Sequence, residues 1–151
     1  MAYQYKALAE YILQLADEQC IKDINQMKLQ KLLYFIEGLH LGRCGKPLLD
    51  SEFVAWKHGP VIESLYQDLK QYKAKTLKKG MLRENPTKID PQDKENIRIY
   101  FDAFKDTTPW ELRELSHRIG PWKDIYVPYI AGLVIPQHMM EEQFKQFLDS
   151  L

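Results

Sequence analysis

Residues 27–41, MKLQKLLYFIEGLHL, leave this chain few ways to fold. On a helix, Leu29, Leu32, Leu33, Ile36, Leu39 and His40 form one stripe, and Tyr34, Phe35 and Leu41 add apolar bulk away from it. A helix apolar over so much of its circumference has to be covered on several sides. The chain is therefore expected to build around this helix, with other elements laid against it. Asn25 is placed to cap its start, and Gly42 or Gly45 to end it.

The flanking segments have the amphipathic patterns such coverage needs. Residues 3–19 place Leu8, Tyr11, Ile12, Leu15 and Ala16 on one helical face. Residues 46–50 read as a connector, and residues 52–57 as a short strand rich in aromatic and β-branched side chains. Pro60 is expected to open a helix to about Tyr72, facing inward through Val61, Leu65, Leu69 and Tyr72. Residues 73–90 carry breakers at Asn85-Pro86 and Asp90-Pro91 and are the least structured part. Asp90 and Pro91 then start a helix to about Asp106, with Ile97, Tyr100, Phe101 and Phe104 inward. Thr108-Pro109-Trp110-Glu111 has capping-box spacing and begins another, ending near Arg118. Residues 132–136 suggest a second strand. Gln137 to Leu148 forms a last helix facing in through Met140, Phe144, Phe147 and Leu148. With 151 residues, 45% of them hydrophobic, the expectation is one mainly α domain. It would be a compact bundle of six to seven helices with one or two short strands at about 52–57 and 132–136, able to pair in a minimal sheet.

Two segments combine a Trp, a His and a Gly-Pro step: Trp56-Lys57-His58-Gly59-Pro60-Val61 and His117-Arg118-Ile119-Gly120-Pro121-Trp122. Each reads as an extended stretch, a corner at Gly and a helix start, because Pro fixes its own φ and biases the residue before it toward extended backbone. His58 and His117 are the obvious candidates for general-base chemistry, which needs an orienting partner and a nucleophile. Ser116 adjoins His117, but neighbours on a helix point apart, and no nucleophile elbow is present. The favoured reading is that both histidines hydrogen-bond exposed backbone at their turns and tie down helix entries. His40, His58, His117 and His138 show no metal-ligand spacing, and no glycine-rich phosphate loop occurs, so neither a metal nor a cofactor is expected. The acid pair Asp102 and Asp106 reads as a solvated helix face, and no enzymatic activity is expected.

Charge is balanced, 21 basic against 21 acidic residues, which argues against a chain built to coat nucleic acid. A local basic run, Lys70, Lys73, Lys75, Lys78 and Lys79, is read first as a solvated loop. It could also meet an acidic protein partner or nucleic acid phosphate. Cys20 and Cys44 are read as two reduced core thiols rather than a disulfide. The N-terminal twenty residues lack the basic and apolar regions of a signal peptide. No uncharged apolar run approaches the roughly 18 residues of a membrane helix. The expected location is the cytoplasm, without membrane contact.

Taken in order, residues 27–35 (MKLQKLLYF) with His40-Leu41, Pro47-Leu48, residues 53–61 (FVAWKHGPV), Tyr66, Leu115-Ser116-His117, Gly120-Pro121-Trp122 and Ile135 resemble the Panacea domain family. That family includes SocA-like antitoxins and phage-associated GepA-like proteins. The likeness runs from about residue 5 to 147. It departs at Ile36-Glu37, where a small or aromatic residue and Gln are frequent, and at His58, where Tyr is common. It implies an antitoxin that binds a partner toxin, encoded by an adjacent gene, and blocks it without catalysis. SocA-like members further imply delivery of the toxin to an ATP-dependent protease. A phage-associated accessory protein is an alternative, and direct binding to its own promoter or an enzyme using His58 and His117 are weaker readings. The motif residues Lys28, Leu29, Gln30, Lys31, Tyr34, Trp56, His58, Gly59, Pro60, His117, Gly120, Pro121 and Trp122 are read as fold determinants first and partner contacts second.

Overall fold

A computed structural model describes residues 2–151. In chain order the elements are α1 (Tyr5–Glu18), α2 (Gln26–Cys44), β1 (Phe53–Trp56), β2 (Gly59–Val61), α3 (Glu63–Leu69), α4 (Pro91–Phe104), α5 (Pro109–Ser116), α6 (Trp122–Ile125), β3 (Leu133–Ile135) and α7 (Gln137–Asp149). Seven helices and a small antiparallel sheet among the described residues make the chain mainly α.

The helix α2 is the centre, and α7, α5, α4, α1 and the hairpin all pack on it. Asn25 caps it, its side chain accepting from the Lys28 N–H at 2.9 Å. Of the two glycines near its end, Gly45 terminates it, with φ at 71°. Gly42 lies inside the helix for a different reason. A Cβ there would come within 2.7 Å of the Lys145 backbone nitrogen on α7, so only Gly lets the two helices approach so closely. Tyr34, Phe35 and Phe144 fill this contact edge to face, with ring centroids 5.5–6.1 Å apart between α2 and α7.

The sheet has the order β2-β1-β3. The expected strands pair, with Phe53 opposite Ile135 and Val54 opposite Val134. The helix expected to open at Pro60 does not. Pro60 lies in β2 opposite Ala55, and residues 57–58 form a two-residue hairpin turn. Pro is tolerated here because β2 is an edge strand, whose missing N–H costs no ladder bond. Gly59 takes φ 116°, which the turn demands of it. The helix α3 starts only at Glu63, after the Ile62 N–H has been bonded by Gln30. The second corner does open a helix, at Trp122, but what precedes Gly120 is the end of α5 and a turn rather than an extended stretch.

Other details differ at the edges. Cys20 and Cys44 are free and exposed, not core. Both sit at helix ends, where the apolar stripe has run out. Tyr72, Phe104, Phe147 and Leu148 are only partly buried. Asp106 falls beyond the end of α4, so it shares no helix face with Asp102. Residues 73–90 contain little regular structure but are pinned. Leu77, Leu82 and Ile89 are buried, and the Glu10 carboxylate accepts from the Gly80 and Leu82 N–H groups at 2.5 and 3.2 Å. Among the described residues no helix is long and apolar enough to cross a membrane.

The Gly42 contact yields a test of the α2–α7 packing. Replacing Gly42 by Ala should lower stability by about 1–3 kcal/mol, since the clash is with backbone that cannot rotate away. Urea denaturation of the variant measures it.

Candidate functional site

The polar residues of α2 are the least expected part of the molecule. Lys28, Gln30, Lys31 and Glu37 are all buried, although sequence patterning places them off the apolar stripe. Each reaches a different stretch of chain. Lys28 Nζ donates to the Lys105 carbonyl after α4 at 2.6 Å and pairs with Asp23 at 2.7 Å. Gln30 takes both backbone groups of Ile62, accepting from its N–H at 2.9 Å and donating to its carbonyl at 3.1 Å. Lys31 Nζ donates to the Pro60 carbonyl at 3.0 Å. The Tyr34 hydroxyl accepts from the Trp122 N–H at 3.3 Å. Glu37 accepts from the N–H groups of Leu48 and Leu49 at 2.7 and 3.3 Å. Burial of such groups is tolerable only because each has a partner. The one available sequence signal was their position on a helix too apolar to have an exposed face.

These bonds bring the two Trp-His-Gly-Pro segments together beside α2. Trp122 Nε1 donates to the Trp56 carbonyl at 2.8 Å. The rings of His117, Trp122 and Tyr126 stack in a column, at 3.9 Å and then 4.8 Å between centroids. Gly59 closes the gap from the other side, where a Cβ would lie 2.6 Å from Lys31 Cε and 2.8 Å from Ser116 Oγ.

The histidines do not act as expected. Neither bonds backbone. His58 sits exposed at the hairpin turn, its Nδ1 accepting from Arg113 Nε at 3.3 Å. The His117 ring lies flat on Trp122, and its buried Nε2 has no hydrogen-bond partner. The indole face of Trp122, rather than the turn backbone, is what this ring packs on. Both imidazoles are held below their ordinary pKa, by burial first and by the Arg113 guanidinium second. Ser116 Oγ donates to the Arg113 carbonyl at 2.7 Å and is not paired with His117, so no nucleophile–base couple forms. Among the described residues no group of three His, Cys, Asp or Glu side chains is placed to hold a metal.

The expected basic run is not one patch. Lys73 lines a groove with Trp56 and Tyr66, whereas Lys78 and Lys79 line a separate one beside Asp17 and Cys20, where Lys79 pairs with Asp17 at 3.2 Å.

Residues 29–123 match the family described as Antitoxin SocA-like, Panacea domain. The chain belongs to this family. A curated relative, the Antitoxin SocA of Caulobacter vibrioides (strain NA1000 / CB15N), is 48% identical over 44 residues, a stretch covering 29% of this chain and 23% of that protein. No solved structure matches. The family match begins within α2 and ends at the start of α6, so it contains the hub helix from Leu29 on, the hairpin and both Gly-Pro corners.

Two predictions follow from this geometry. Trp122 is 7% exposed, and its truncation to Ala should cost about 3–5 kcal/mol, read as a fall in thermal stability. The second concerns pH. Burial raises the Glu37 carboxyl from 4.5 to about 7, so the folded state holds a proton the unfolded chain releases, and stability falls as pH rises from 4.5 to 7. Burial lowers the Lys31 ammonium from 10.5 to about 7, aided by Arg113, so here the unfolded chain binds more protons and stability rises between pH 7 and 10.5. Denaturant melts across this range should lose the lower limb in Glu37→Gln and the upper limb in Lys31→Met.

Proposed function

We propose that this chain is an antitoxin that neutralises a partner toxin by stoichiometric protein binding, with the whole of residues 1–151 acting as one Panacea domain. The observation that carries this reading is membership of the SocA-like antitoxin family over residues 29–123. The use made of the motif residues supports it. Lys28, Gln30, Lys31 and Tyr34 are all engaged with backbone inside the protein, and Trp122 with the Trp56 carbonyl. Such residues stabilise a scaffold. They leave the surface around it as the means of action, and the toxin, encoded by an adjacent gene, as its target.

Binding as a function needs apolar surface that solvent reaches. Val127, Tyr129, Ile130 and Val134, four of the seven large exposed hydrophobic side chains among the described residues, lie within eight residues of chain after α6. On this reading the chain acts in the cytoplasm and works by binding alone.

Co-expression with the product of the adjacent gene tests the reading. That product alone should arrest growth, and this chain should restore it and co-purify with it in fixed ratio. A neighbour that is harmless, or stays toxic beside this chain, refutes it. Partner half-life separates two modes: unchanged turnover indicates occlusion, and shortened turnover indicates delivery to an ATP-dependent protease.

A further inference from the structure

The hairpin of residues 53–61 divides two open grooves. The first, about 240 Å³, runs between the start of α2 and α3, over Met27, Val61, Tyr66 and Ala74, with Lys31, His58 and Lys73 along it. The second, about 300 Å³, lies between β1 and the segment after α6, over Tyr126, Pro128, Ile130 and Ala131, with Lys57 and His58 at its edge. Trp56, His58 and Val61 line both, so the two are halves of one surface that crosses the hairpin.

Three properties set this surface apart. It is floored mainly by apolar side chains, and it continues into Tyr129, which is 96% exposed, and Ile130, 51% exposed. Its charge is one-sided. In a chain with equal numbers of acids and bases, neither groove is lined by a carboxylate, while the exposed cations Lys57 and Lys73 border them. Glu63 stands beside Gly132, outside both linings, and Glu114 is taken up by Arg113 at 2.8 Å. Finally, the first groove contains an unanswered polar group. Gln26 is 8% exposed, and its buried Oε1 has no hydrogen-bond partner in the protein. A buried acceptor left open in this way costs free energy unless something binds it.

We infer that this two-groove surface is the docking site for a protein segment that presents apolar side chains next to a carboxylate. Its apolar side chains would fill the space over Met27, Val61 and Tyr66 on one side and Tyr126 and Ile130 on the other. Its carboxylate would meet Lys73, Lys57 and His58. Burial first and the Arg113, Lys57 and Lys31 cations second favour a deprotonated imidazole at His58, and an arriving carboxylate favours its protonation, which strengthens the pair. The apolar floor favours protein over nucleic acid, and Lys78 and Lys79 of the basic run face a different groove. A comparably apolar groove between α4 and α7, lined by Leu39, Ile99, Phe147 and Leu151, has no unpartnered polar group and serves as the control face.

The inference rests on the binding role proposed above but is tested separately from it. A random peptide library displayed on phage is selected on the full chain. Recovered sequences should place an apolar residue next to Asp or Glu, and their affinity should fall about ten-fold or more in Ile130→Glu and in Lys73→Glu, both exposed positions. Ile99→Glu, 49% exposed on the control face, should leave it unchanged. Thermal melts confirm that each variant is folded. Recovery of no peptides, of basic peptides, or of peptides displaced only by Ile99→Glu overturns the inference. So does self-association that Ile130→Glu abolishes, which would make the occupant a second copy, or duplex DNA binding that Lys73→Glu abolishes. If the adjacent gene product binds the wild-type chain and all three variants equally, the antitoxin reading stands and this surface is wrong. If it binds none of them while the peptides behave as expected, the surface stands and the antitoxin reading fails.

Discussion

Everything in this protein leans on the way α2 spends its polar side chains. Five of them, Lys28, Gln30, Lys31, Tyr34 and Glu37, form hydrogen bonds with backbone groups at Lys105, Ile62, Pro60, Trp122 and Leu48–Leu49. A purely apolar central helix would bury the same area, but hydrophobic contact is non-directional and would not fix which loop lies where. A backbone amide or carbonyl that must be satisfied away from water does fix it. The helix thus acts as a register for segments distant in sequence, and each bond is exacting because its loss strands a buried group.

The cost is carried by ionisable groups held near the edge of charge. Glu37 and Lys31 both titrate near 7, one pushed up and one pushed down by burial. Their effects on stability have opposite slopes on either side of neutrality, which places the least favourable balance of these two groups near neutral pH. A buried amine beside an Arg113 guanidinium is poor design for stability alone. Here it joins the helix to the hairpin at Pro60, and so holds the element that separates the two surface grooves.

The histidines illustrate why local pattern misleads about chemistry. A His next to a Gly-Pro step and a Trp resembles a catalytic or capping arrangement. The fold instead lays His117 on the Trp122 ring and leaves His58 on the hairpin tip against Arg113. Among the described residues neither imidazole is hydrogen-bonded to a hydroxyl or thiol, and Ser116, adjacent in sequence to His117, is turned back to its own helix. The two grooves beside the hairpin are assembled from α2, the hairpin, the stretch around α3 and the segment after α6.

Much of the architecture was legible in the chain itself. The period of Leu29, Leu32, Leu33 and Ile36 determined a central helix, the spacing of Leu8, Tyr11, Ile12 and Leu15 a helix to cover it, and Thr108-Pro109 a helix start, because these signals act over a few residues. The motif series also sufficed to name the family. Three-dimensional packing decided the rest. Pro60 is compatible with both a helix start and an edge strand, and only the pairing of Ala55 with it, together with the Lys31 bond to its carbonyl, selects the strand. Lys31 bonds Pro60, 29 residues away, and Lys28, besides its nearby pair with Asp23, bonds Lys105, 77 residues away, so neither burial is readable from neighbouring sequence. Which polar group is buried, and against what, depends on contacts between remote segments, and that information exists only once the chain has closed on itself.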